Sequence, residues 1–298
     1  MPRTARELPV AVFDSGVGGL TVLHECLVRL PHEDYVYLGD TQRFPYGRRA
    51  PGELLAFARE LSAILLAEGT KLIVVACNSA TAAALPALRE ELAGRVPVIG
   101  VVAPEARLAA AATRNGSVGL IATPATVASG AYERALAEAS GGRARLHSVA
   151  SADLASLIQR GGEVDERTVA CVERACDPLR AARVDTVILG CTHYPLVRPP
   201  LQRTLGREVR IVGSGEPIAA EVAGELEAAG VAAPAERRGT YRFLASGDPE
   251  EFRRLGTRFL QLPITTVQRV PVAAAGLPPG AAAERARGGP SEPAGAPA

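Results

Sequence analysis

Short apolar runs alternate with longer amphipathic, Ala/Leu-rich segments along most of the chain. Runs of four or five consecutive apolar residues are what strands covered on both faces require, so the pattern predicts an α/β protein with largely parallel strands. Strands are predicted at Val10–Phe13, Tyr35–Leu38, Leu72–Ala76, Val98–Val101, Val118–Ile121, Thr186–Leu189 and Arg210–Val212. Helices are predicted at Gly18–Leu30, Gly52–Ala67, Thr81–Leu92, Glu105–Thr113, Ala125–Ala139, Asp165–Arg180 and Pro217–Ala229. Pro195 suits the first turn of one more helix, where its missing N–H costs nothing.

The pattern also repeats weakly. In the first half one strand runs into Asp14-Ser15 and another, LIVVA, into Cys77-Asn78-Ser79. In the second half VGLIA runs into Thr123-Pro124 and VILG into Cys191-Thr192-His193. Two related halves, each ending a strand in a cysteine, predict two pseudo-symmetric domains, each a mainly parallel sheet flanked by helices. Ligands of open parallel sheets sit beyond the carboxyl ends of the strands. Both cysteines fall there, so the active site is expected between the domains.

Composition narrows the function. Of 298 residues, 47% are hydrophobic and 22% charged, the balance of a soluble globular enzyme. A net charge of +1 provides no global field for nucleic acid or an anionic membrane. The opening MPRTARELPVAVF has no long apolar stretch, so no signal peptide or span is expected and the cytoplasm is the expected location. Beyond about Val270 the chain turns Ala/Gly/Pro-rich without apolar periodicity, which predicts a disordered tail over 273–298. Of 33 lysines and arginines, Lys71 is the one lysine, and it heads an apolar run. Pyridoxal chemistry needs a lysine for its Schiff base and is disfavoured.

The five cysteines are odd in number and contain no CxxC pair, so free thiols are expected. Neither His24 with Cys26 nor Cys171 with Cys176 has ligand spacing, and no metal site is predicted. A single strand-end cysteine is usually a small core residue. Two in matching strand-to-helix positions are better read as a functional pair, each thiolate favoured by helix N-terminal N–H groups. Inverting an α-carbon requires one group to take its proton and another to return a proton on the opposite face. Cys77 and Cys191 meet that requirement.

The turn Asp14-Ser15-Gly16-Val17-Gly18-Gly19 lacks the third glycine of a dinucleotide loop, where Thr21 stands, and lacks a P-loop lysine. A turn whose N–H groups approach a small carboxylate fits better. Gly39-Asp40-Thr41 and Pro45-Tyr46-Gly47 form one loop, either a solvent-facing turn or a wall presenting N–H groups and Tyr46 to a substrate. His193, beside Cys191, is either structural or a tuner of that thiol.

FDSGVGGLTVL, GDTQRFPYG, VVACNSAT, ATPATVASGAY, LGCTHYPL and SGDPEEFRRLGTRFL, in this order across residues 9–270, resemble the glutamate racemase family. Aspartate racemases and their relatives share the cysteine pair but usually lack the PYG loop. The resemblance implies cofactor-independent conversion of L- to D-glutamate for peptidoglycan, and often a homodimer. It implies that the domains exchange chain, with residues 1–100 plus 212–272 in one and 101–211 in the other. By matching position, Cys77 and Cys191 are the acid/base pair. Asp14, Ser15, Tyr46, Gly47, Asn78, Ser79, Thr192 and His193 line the substrate. Ser79 replaces a more usual threonine and Gly213 a frequent aspartate. Where the family often has Ala-Cys-Pro and a later glutamate, this chain has Ala150-Ser151-Ala152 and Gln159. Gln159 either faces His193 or lies on the solvent side of a helix Asp153–Arg160. The nearest rival is a racemase or isomerase of aspartate or another small acid. A rival from another class is a dithiol redox or metal-binding protein.

Overall fold

The run VAVFD forms β1 (Val10–Asp14), every residue of it buried. In the computed structural model, which describes residues 4–161 and 164–273, β1 lies between β2 (Tyr35–Gly39) and β3 (Leu72–Val75), parallel to both. Sheet faces alternate residue by residue. Val10, Val12, Tyr35, Tyr37, Leu72 and Val74 belong to one core cluster. Ala11, Phe13, Val36, Leu38, Ile73 and Val75 belong to another. Apolar runs without alternation therefore reflect a sheet covered on both sides.

Beyond β3 lies β4 (Val98–Gly100). On the other side, β9 (Tyr241–Ala245) and β10 (Val267–Arg269) return from the far end of the chain, giving the order β10-β9-β2-β1-β3-β4. A second sheet, ordered β6-β5-β7-β8, comprises β5 (Ser117–Ala122), β6 (Arg145–Ala150), β7 (Thr186–Gly190) and β8 (Arg210–Val212). All pairings in both sheets are parallel. The four strands β2-β1-β3-β4 and the four strands β6-β5-β7-β8 have the same connectivity. The internal repeat is thus a repeat of topology: β3, leading to Cys77, corresponds to β7, leading to Cys191.

Helices α1 (Leu20–Arg29), α2 (Pro51–Ala67), α3 (Asn78–Glu91), α4 (Val102–Ala112), α8 (Glu166–Ala181) and α10 (Gly215–Ala228) match predicted segments. The predicted helix 125–139 is instead two, α5 (Pro124–Ala128) and α6 (Ala131–Ser140). Gly130 breaks it at φ +63°, a left-handed conformation that costs glycine little. The helix after Pro195 begins as a 3-10 turn, Tyr194–Val197, and continues as α9 (Arg198–Leu205). Also present are α7 (Leu154–Gln159) and α11 (Pro249–Leu260). Among the described residues no helix is long and apolar enough to cross a membrane. The tail expected to be disordered lies, from residue 274 onward, outside the described residues.

Candidate active site

Both cysteines sit where a strand hands over to a helical turn. Cys77 is the N-cap of α3, its carbonyl accepting from Thr81 N–H at 2.8 Å. The carbonyl of Cys191, which follows β7, accepts from Tyr194 N–H at 3.1 Å. Both side chains are buried, and they line one cleft between the carboxyl ends of the two sheets. Ser15, Tyr46, Gly47, Asn78 and Ser79 enter that cleft from the six-stranded side, and Thr192 and His193 from the other. Of the ten predicted site residues, Asp14 alone does not line it. Asp14 is wholly buried behind the wall, accepting from Gly16 N–H at 3.0 Å and from the Thr192 hydroxyl at 3.2 Å.

The glycines of the turn are required by close packing. A Cβ on Gly18 would stand 2.4 Å from both His193 Nδ1 and Thr192 Oγ1, and one on Gly19 would stand 2.6 Å from the Asp14 Cβ. Gly18 lets one half of the molecule close onto the other, Gly19 lets the turn pack on its own sheet, and Ser15 is the member of the turn that reaches the cleft. Gly47 does the same as Gly18 at the opposite wall, where a Cβ would meet Thr123 at 2.7 Å.

Tyr46 presents its ring, and its hydroxyl is already committed. The phenol donates to Asp40, whose carboxylate also receives Arg43 Nε at 2.6 Å and the Ser246 hydroxyl at 2.7 Å. Asp40 is therefore the anchor of the loop rather than part of a solvent-facing turn. Ser79 Oγ lies 2.8 Å from Thr123 Oγ1 and 3.0 Å from Thr126 Oγ1, a hydroxyl triangle joining α3 to the start of α5. Thr123 was legible as a Thr-Pro N-cap before α5, and its place in the cleft was not.

Burial dominates the electrostatics. It pushes the Cys77 thiol up to about 12, with the Asp14 charge adding to the effect and N–H groups of Ala80 and Ser15 opposing it. Burial likewise raises Cys191 strongly, opposed by the His193 N–H. The helix N-terminal donors expected to favour thiolates are present, but removal from water outweighs them. Burial raises Asp14 to about 6 and lowers His193 to about 3, so the imidazole is neutral at pH 7.

His193 Nδ1 lies 3.9 Å from Cys191 Sγ, and its Nε2 lies 2.8 Å from Gln159 Oε1. Of the two positions weighed for Gln159, the structure has the one facing His193. The amide oxygen can only accept, so Nε2 carries the hydrogen and Nδ1 turns a lone pair to the thiol. Phe44 and Phe259 pack on the ring, with centroids at 5.4 and 5.1 Å. All five cysteines are free and buried. Among the described residues no group of three or more His, Cys, Asp or Glu side chains is placed to hold a metal. In chemical terms the cleft offers two thiols, a proton acceptor beside one of them, and a rim of hydroxyl and amide groups.

The chain is similar over most of its length to known racemases. A protein from Beutenbergia cavernae named glutamate racemase is 44% identical over 264 residues, covering 85% of this chain and 90% of its own. The crystal structure of glutamate racemase isoform RacE1 from Bacillus anthracis superposes with a TM-score of 0.83 at 37% identity, covering 90% of this chain and 98% of its own. Glutamate racemase from Francisella tularensis, solved in complex with D-glutamate, superposes with a TM-score of 0.81 at 29% identity over 89% of this chain and 98% of its own. The pattern described as Asp/Glu/Hydantoin racemase matches residues 23–222, and with these relatives it establishes that the chain belongs to the Asp/Glu/hydantoin racemase family.

Proposed function

We propose that this racemase interconverts L- and D-glutamate without a cofactor, with Cys77 and Cys191 as the two proton-transferring groups. The observation that carries the reading is the placement of the two thiols at corresponding strand ends of two sheets of like topology, opening on one cleft. A substrate α-carbon held between them has one sulfur on each face. One thiolate removes the α-proton, and the carbanion-like species is protonated by the opposite thiol, which leaves the pair in exchanged protonation states. The return reaction uses the same pair in reversed roles.

A dry cleft that raises both thiols needs a compensating charge, and an incoming α-ammonium supplies it. At Cys191 the proton has a local destination, the lone pair of His193 Nδ1. Near Cys77 the charge is that of Asp14, which opposes a thiolate until the ammonium neutralises it. The PYG loop presents its backbone to the side-chain carboxylate, which suits glutamate. We further propose that residues 1–100 with 212–272 form one domain and 101–211 the other. A cytoplasmic homodimer supplying D-glutamate to peptidoglycan completes the reading, and this part rests on the family resemblance alone.

The test is direct. Purified protein is assayed for loss of optical rotation with L-glutamate and, separately, L-aspartate, without pyridoxal phosphate. Racemisation of glutamate is expected. Activity on aspartate alone, or activity that requires added cofactor, would overturn the assignment.

A further inference from the structure

Glu105 is a glutamate with no exposure to solvent, set in the apolar sequence VAPEARLAA at the start of α4. Its two oxygens are fully used. Oε1 accepts from the Ser214 hydroxyl, and Oε2 accepts from the Tyr132 phenol and from Asn78 Nδ2 at 3.3 Å. Asn78 Nδ2 gives its second hydrogen to Tyr132 Oη at 2.7 Å. The four residues come from four places: α3 just past Cys77, α4, α6 and the segment between β8 and α10. Both chain crossings between the sheets, one leading into α4 and one leaving β8, therefore meet at this carboxyl.

The network fixes one amide completely. With both hydrogens of Nδ2 held inside the protein, the amide cannot present nitrogen to the cleft. Its oxygen is the atom left over. Asn78 is 2% exposed and lines the cleft, yet its Oδ1 has no hydrogen-bond partner. A buried acceptor left unpaired is costly, and a cleft-lining one is satisfied when a donor binds. Among the groups of an amino acid, the α-ammonium is the donor.

We propose that Glu105 is a positioning residue, which through Nδ2 holds the Asn78 amide with Oδ1 toward the cleft as an acceptor for the substrate's α-ammonium. This rests on the racemase reading above. Glu105 itself touches no substrate. Burial raises its carboxyl to about 8, and either protonation state retains acceptors for Tyr132 and Asn78. Glutamine at 105 would preserve the arrangement, its oxygen accepting from Tyr132 and Asn78 and its nitrogen donating to Ser214.

Two ligands separate this role from general support of the fold: glutamate, and glutarate, which has both carboxylates and no amine. For wild type and for Glu105→Ala, Glu105→Gln and Tyr132→Phe, the KM for glutamate is measured together with the competitive inhibition constant for glutarate. Glu105→Ala is expected to raise the glutamate KM on the order of tenfold, the loss of one hydrogen bond to a charged group, with glutarate inhibition within about twofold of wild type on the same ground. Glu105→Gln is expected to restore both constants. Tyr132→Phe, which removes the other acceptor of Nδ2, is expected to show the same selective loss in smaller degree, and it carries the test if Glu105→Ala does not fold. Parallel weakening of both ligands, or no change in either, would overturn the proposal while leaving racemisation of glutamate by the wild type intact. A wild type that does not racemise glutamate would overturn the reading beneath it.

Discussion

Replacing Gln159 by glutamate tests whether His193 serves as the proton acceptor for Cys191. The neutral amide now gives the imidazole a dipole and no countercharge, and burial holds the ring down to about 3. A carboxylate oxygen in the same place, 2.8 Å from Nε2, would bring opposite charges on the order of 4 Å apart when the ring is protonated. At an effective dielectric of about 20 that is worth about 4 kcal/mol. Gln159 is partly exposed, and screening with desolvation of the new charge leaves roughly half, or about 2 kcal/mol. At about 1.4 kcal/mol per tenfold, the pair of Cys191 thiolate and His193 imidazolium gains about 30-fold over its neutral form. The assay is the pH dependence of kcat/KM, which is equal in the two directions at every pH because a racemisation has an equilibrium constant of one. The gain between two forms of equal proton count is expected to raise kcat/KM itself, and the limb set by loss of the imidazolium proton is expected to move toward higher pH by roughly 1.5, the same energy divided by about 1.4 kcal/mol per pH step. The separate kcat values of the two directions are expected to change unequally, since His193 neighbours one thiol and not the other. An unmoved profile in a folded Gln159→Glu protein would refute a proton path through His193.

Cys77→Ala and Cys191→Ala are each expected to lower kcat/KM for glutamate on the order of 100- to 10,000-fold, the usual contribution of one acid/base group. A single variant that still racemises briskly would contradict the paired mechanism. Gly18→Ala places a methyl group against Thr192 and His193, so it is expected to reduce activity and to cost about 1–3 kcal/mol of stability, read as activity and melting temperature together. A variant unchanged in both would show that the two halves are not tightly closed at this turn. Glu105 has its pKa raised on folding from 4.5 to about 8. Its favourable contribution is present below 4.5 and is lost as pH rises toward 8. The melting temperature of Glu105→Gln relative to wild type is therefore expected to climb between pH 5 and pH 8, at about 2–4 °C per kcal/mol. A flat difference across that range would mean the carboxyl is not shifted.

The strands buried on both faces were legible because a continuous apolar run has few other uses, and seven of them stand where the pattern put them. β6 was missed because its edge position leaves RLHSVA half-exposed. β9 and β10 were missed because exposed residues, Tyr241 and Arg242 in one and Gln268 and Arg269 in the other, break the continuous apolar run. The split at Gly130 was hidden in a segment whose composition is helical throughout. α11, with Asp248 capping and Pro249 at its first turn, carried a readable start signal. In the site, the cysteine pair and its neighbours could be picked out from position in the repeat. What sequence could not give was which groups are already engaged. Tyr46 has its hydroxyl on Asp40, Asp14 stands behind the wall, and the thiols are raised by a dryness that depends on closure of both halves. Glu105 offered a signal, a carboxylate in an otherwise apolar helix start, but its partners lie 27 to 109 residues away in sequence.

The central claim is that two opposed thiols exchange the α-proton, and it is tested most directly by racemisation of L-glutamate in heavy water without added cofactor. The α-position of both enantiomers is followed by NMR at early conversion. Two-thiol chemistry predicts D-glutamate carrying deuterium at the α-carbon while the remaining L-glutamate keeps its protium, since the returning proton comes from a different, solvent-equilibrated group. Deuterium entering both enantiomers at equal rates from the start, or D-glutamate formed with its original protium, would contradict it.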